Sequence, residues 1–206
     1  MRTQNTAELP ANYRELRRID LQKNKKLMLL VNLLALAIAA LLCAVGHRVV
    51  PVSKMFDMSD GIVFYFVRFG VMLGGTVLYI VLHEAVHGIF FRIYGSGVKP
   101  TFGFTGMYAF AASKAYFNRL SYFIIGLSPV VIWGAVLLVL NLLLPAVWFW
   151  PIFLIQISNL SGAAGDFYVS ILLARMPSTL LVQDDGVAMT FYVPDELVYN
   201  HARKEG

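Results

Sequence analysis

The sequence predicts an all-α integral membrane fold with four transmembrane helices, a small β-hairpin between the second and third, and a short cytoplasmic tail. Three observations support this. Of 206 residues, 58% are hydrophobic and only 14% are charged, which is too apolar for an ordinary water-soluble domain. Four apolar runs occur, at residues 27–46, 69–91, 121–144 and 152–174. Each matches the roughly 20 residues that cross a hydrocarbon layer as a helix rising about 1.5 Å per residue. Basic residues crowd the start of the chain, with Arg2, Arg14, Arg17, Arg18, Lys23, Lys25 and Lys26 all ahead of the first run. Such a cluster beside an apolar run is a topological signal rather than a nucleic-acid footprint.

Residues 1–26 therefore read as a basic cytoplasmic segment, 27–175 as a four-helix transmembrane domain and 176–206 as a cytoplasmic tail. The run from Leu27 to Gly46 is longer than a signal-peptide core and lacks a small-residue cleavage site, so it reads as a retained helix. Arg68 and Arg92 bracket the second run and Arg175 closes the fourth, as expected where guanidinium groups reach for headgroups. Between the second and third runs, Phe102 and Phe104 alternate with small residues around Thr105-Gly106, so Val98 to Ala112 has a hairpin pattern. The aromatic turn from Pro145 to Pro151 joins the last two runs as a helical hairpin. In the tail, Asp184-Asp185-Gly186 followed by Val187 to Val193 reads as a turn and a β-prone run. Lys and Arg are more numerous before the first run and between the second and third than in the other loops, which puts both termini in the cytoplasm.

Cys43 is the single cysteine and lies in an apolar run, so a disulfide framework and a multi-cysteine metal site are both excluded. Any metal must be held by histidine and carboxylate. The second run contains His83-Glu84-Ala85-Val86-His87. Positions i and i+4 of a helix share a face, so His83 and His87 can bind one zinc ion, with Glu84 beside them. Two neutral imidazoles leave the ion its charge, and Glu84 can serve as general base toward a zinc-activated water attacking a carbonyl. Ionisable residues within a span are costly and mark function by default.

Catalytic zinc generally takes three protein ligands. Between Gly61 and Arg175 the other acidic residue is Asp166, and no further histidine occurs, so Asp166 is the expected third ligand. Counted from the outer ends of their runs, His83, His87 and Asp166 reach similar depths in the cytoplasmic half of the membrane. Asn159 lies two helical turns before Asp166, where its amide could orient a substrate or support a metal ligand; a plain interhelical hydrogen bond is the simpler alternative. Small residues between Ser158 and Gly165 suit close helix packing. Pro129 is expected to kink the third run, either opening a water path or simply bending it. Lys114, Asn118 and Arg119 could contact substrate or stabilise an oxyanion, but charged residues in a cytoplasmic loop are more often solvated or topological, and these read as such. His47 and His201 are incidental.

The stretch Leu82-His83-Glu84-Ala85-Val86-His87-Gly88, with Asp166 on a later apolar helix, resembles the putative zincin peptidase family of small bacterial membrane proteins. More distantly it is similar to intramembrane zinc metalloproteases of the site-2 protease type. The resemblance covers roughly residues 69–175. It implies zinc-binding roles for His83, His87 and Asp166, a catalytic role for Glu84, and an extended substrate added as a strand near Val98 to Ala112. The Leu-Asp-Gly usual in site-2 proteases is Gly165-Asp166-Phe167 here, and no proline stands between Asn159 and Asp166. The implied activity is that of an HExxH metalloendopeptidase with zinc as cofactor. Its substrate would be a membrane protein or membrane-associated peptide, met at the lipid bilayer of a bacterial cytoplasmic membrane, with no nucleic acid involved. The alternative is a non-proteolytic metal-binding membrane protein, a pseudoprotease serving regulation or assembly.

Overall fold

The computed structural model describes residues 3–20, 23–106 and 108–197; Arg2 and His201, named above, lie outside them. In chain order the elements are β1 (Tyr13–Asp20), α1 (Lys25–Val49), α2 (Ile62–Tyr94), β2 (Thr101–Phe104), β3 (Ala109–Asn118) and α3 (Arg119–Leu143). They continue with α4 (Phe149–Gly162), α5 (Ala164–Ala174), β4 (Leu181–Asp184) and β5 (Ala188–Pro194).

This architecture corrects the all-α expectation. Among the described residues, five strands form one antiparallel sheet in the order β1-β5-β4-β3-β2, so the fold is mixed α/β. The expected hairpin of β2 and β3 is only one side of that sheet. Beyond Ala112, β3 turns to β4, pairing Ser113 with Asp184 and Phe117 with Val182. The basic segment before α1 supplies β1, which runs along β5 from Tyr13↔Pro194 to Asp20↔Ala188. Arg14, Arg17 and Arg18 are exposed on this outer strand. Charges on an edge strand discourage further pairing, so the residues that signal topology also suit a sheet margin.

The chain divides into two compact units. The first comprises Met1–Met28, Glu84–Ser128 and Phe167–Gly206, and holds the sheet. Its core is built on Phe117, Leu181, Val182 and Phe191, all at 0% exposure. The Phe91 ring of α2 packs 5.3 Å from Phe117 of β3, and Tyr122 of α3 lies 6.5 and 6.3 Å from those two rings. The Tyr122 hydroxyl donates a short hydrogen bond to Asp184 on β4. Gly88, one residue after the motif, sits beneath the Phe102 ring of β2, where a Cβ would come within 2.2 Å of the ring. Glycine thus permits a close approach of β2 to α2.

The second unit comprises Leu29–His83 and Pro129–Asp166. Tyr79, Leu137, Ile152 and Ile155 form its buried cluster. Arg68 is buried and paired with Asp60 at 2.9 Å instead of reaching outward for a headgroup.

Four helical stretches are long and apolar enough to cross a membrane: Lys25–Val49, Ile62–Tyr94, Arg119–Leu143 and Ala146–Ala174. Leu29, Leu33, Leu36 and Leu41 of α1 are all exposed, an apolar surface suited to lipid. The last stretch is interrupted at Ala163, so Asp166 falls in the first turn of α5.

Candidate metal centre

One uninterrupted helix, α2, carries His83 and His87 on a common face, and both side chains are buried. Asp166 comes from the first turn of α5. Each of the three offers a ligand atom, and those atoms lie within 4.8 Å of one another. His83 Nε2 is 3.6 Å from Asp166 Oδ2. Ligands on a tetrahedral zinc, with bonds of about 2.0–2.2 Å, stand roughly 3.3–3.6 Å apart; the His83–Asp166 pair has that spacing, and the full set, within 4.8 Å, would draw in around an ion.

The hydrogen bonds behind the two histidines select the same nitrogen on both rings. His87 Nδ1 lies 3.0 Å from the Ile125 carbonyl. A carbonyl can only accept, so Nδ1 carries the hydrogen and Nε2 presents the lone pair. On His83, Nδ1 lies 2.7 Å from the Tyr79 hydroxyl. That hydroxyl donates to Asn159 Oδ1 at 3.0 Å, and Asn159 Nδ2 donates to the Val130 carbonyl at 3.2 Å. Val130 fixes the amide orientation, the amide oxygen takes the single phenolic proton, and the Tyr79 oxygen is left to accept from His83 Nδ1–H. Ligand histidines in metal sites are commonly oriented this way, one ring nitrogen donating to the protein and the other facing the ion. The donor set of two neutral imidazoles and one carboxylate also suits zinc. Asn159 is 0% exposed, and its two hydrogen bonds satisfy an amide that would be costly to bury alone.

Glu84 follows His83 on α2 and is engaged by the sheet. Its Oε2 accepts the backbone N–H of Ala111 on β3 at 2.7 Å.

The structure thus brings His83, His87 and Asp166 together and puts Asn159 behind His83 through Tyr79. The other polar candidates have structural partners. Asn118 Oδ1 accepts the Ser121 N–H at the start of α3, Arg119 donates to the Met176 carbonyl, and His47 Nδ1 accepts the Val52 N–H. Lys114 is exposed. Sequence reasoning overlooks Tyr79, although Tyr79, His83 and His87 recur every four residues and so form one stripe on α2. The contributions of Ile125 and Ala111 are backbone groups that no residue type advertises.

A family model described as Putative zincin peptidase matches residues 76–181. That is just over half of the chain, and it includes His83, Glu84, His87, Asn159 and Asp166. No curated protein and no solved structure matches the chain.

Proposed function

Since the chain belongs to the putative zincin peptidase family, we propose that it is a multi-pass membrane zinc metalloendopeptidase of the HExxH type, with Glu84 as general base. The observation that supports this best is the convergence of His83, His87 and Asp166 beside Glu84. Zinc bound there would supply a Lewis acid that polarises a carbonyl and makes a water nucleophilic near neutral pH.

The chain's own residues account for the remaining steps. His83 and His87 would hold the ion through Nε2 and Asp166 through a carboxylate oxygen, a donor set whose single negative charge would leave it electrophilic. Glu84 takes a proton from the attacking water and returns it to the departing amine, a transfer worth typically 10²–10⁴-fold in rate. A helical substrate hides its peptide groups in hydrogen bonds and must be extended before attack. β2 is a terminal strand of the sheet, with Phe102 and Phe104 exposed, and an open edge of this kind can receive an extended segment by strand addition. The substrate we propose is therefore a membrane protein or membrane-associated peptide, cut within or beside the bilayer. Both termini lie in the cytoplasm on this reading, in keeping with the basic residues before α1.

The test compares membrane proteomes of cells carrying wild-type and Glu84→Gln protein. Uncleaved substrates should accumulate in the variant. No accumulation, together with biological activity that survives Glu84→Gln but not His83→Ala, would favour the non-proteolytic metal-binding alternative.

A further inference from the structure

Helix α3 carries a proline in its interior, Pro129. In an α-helix the N–H of residue i bonds the carbonyl of residue i−4, so an ordinary residue at 129 would engage the carbonyl of Ile125. Proline has no N–H. The Ile125 carbonyl instead receives two side-chain donors, His87 Nδ1 at 3.0 Å and Ser128 Oγ at 2.9 Å. Ile125, Ser128 and His87 are all buried, so water does not compete for these bonds. A carbonyl oxygen offers two lone pairs, and two donors account for both.

We propose that Pro129 is a positioning residue for the metal centre: by withholding a backbone donor, it reserves the Ile125 carbonyl for His87 Nδ1–H and so keeps His87 Nε2 turned toward the metal. The inference rests on the zinc reading of the site. An interior proline ordinarily weakens a helix, and here the carbonyl it releases has a specific use. A proline present only to bend α3 would leave the acceptor to water or to any nearby donor. Instead its lone pairs go to a ligand histidine and to the adjoining serine. The bond to Ile125 also differs in kind from the one behind His83, where a side-chain relay does the holding.

The test is full-length Pro129→Ala protein, purified beside wild type, with zinc affinity measured by competition against a chromophoric chelator and the thermal midpoint measured without zinc. The restored N–H draws the Ile125 carbonyl into the helix ladder, adding a third donor to a saturated oxygen. The zinc dissociation constant should rise about 10–100-fold, the range for loss of a ligand's outer partner. The zinc-free midpoint should hold or rise, because α3 regains a missing bond. This opposite behaviour separates positioning from a merely structural role. Wild-type affinity in the variant overturns the proposal, and so does a parallel fall in affinity and midpoint. A wild-type protein that binds no stoichiometric zinc removes the metal reading and the proposal together, whereas tight wild-type binding with an unaltered variant removes the proposal alone.

Discussion

Glu84 Oε2 accepts the backbone N–H of Ala111 at 2.7 Å, which ties the carboxylate of the helical motif to strand β3. The bond orients a side chain that helical spacing alone leaves several rotamers to choose from. It also links the motif to the sheet, because β3 pairs with the terminal strand β2 on one side and with β4 on the other. A hydrogen bond to a charged group contributes about 1.5–3 kcal/mol, enough to hold one orientation in preference to others.

Glu84→Gln separates shape from basicity. The amide oxygen can still accept from Ala111, and His83, His87 and Asp166 are untouched, so zinc content should equal that of wild type by elemental analysis. Peptide hydrolysis should fall by about 10²–10⁴-fold, the usual contribution of a general base. A variant that retains zinc and cleaves at an undiminished rate would exclude Glu84 from proton transfer.

Ala111→Pro tests the tether. Proline removes the donor, and because the Ala111 N–H is directed at Glu84, the ladder to β2 loses none. Cleavage should drop by roughly 10–100-fold, the kinetic equivalent of a hydrogen bond to a charged group, with zinc affinity preserved. Loss of zinc as well would mean that β3 supports the ligands rather than the base.

How far the sequence discloses this arrangement depends on the range of each signal. The i, i+4 pair of His83 and His87 is local to one helix, and Asp166 stands out because it is the other acid in the apolar stretch from Gly61 to Arg175. Both are legible without a structure. The sheet is not. Tyr13-Arg14-Glu15-Leu16-Arg17-Arg18-Ile19-Asp20 lacks a clean alternation because it is an edge strand, and only Ile19 of it is buried. Its partner β5 lies near the other end of the chain, and local periodicity carries no record of so distant a pairing. β3 is underestimated because Ser113-Lys114-Ala115-Tyr116-Phe117-Asn118 looks like a lead-in to the third apolar run until β4 is placed beside it.

Phe117 should be the most costly single truncation in the sheet unit. It is 0% exposed and its ring joins those of Phe91 and Tyr122, so Phe117→Ala leaves a cavity where α2, α3 and β3 meet. A buried Phe→Ala change costs about 3–5 kcal/mol, which for a chain of this size lowers the thermal midpoint by on the order of 10 °C. Thermal unfolding followed by circular dichroism checks this, and a shift under about 2 °C would show that the cluster repacks freely.

Tyr79 and Asn159 act in series, and a double-mutant cycle can expose the series. Tyr79→Phe deletes only the hydroxyl, leaving His83 Nδ1 without its 2.7 Å partner, so zinc affinity should fall about 10–100-fold. Asn159→Leu removes the acceptor that takes the phenolic proton; the hydroxyl can then rotate and donate to His83 Nδ1, which favours the tautomer with hydrogen on Nε2, the nitrogen meant for the metal. Affinity should fall again, by a comparable factor. With both changes the relay is already broken, so the second substitution should add little. Two residues that touch the site independently would instead multiply their effects. Chelator competition on the four proteins measures the coupling, and full multiplicativity would dissolve the relay into two unrelated packing contacts.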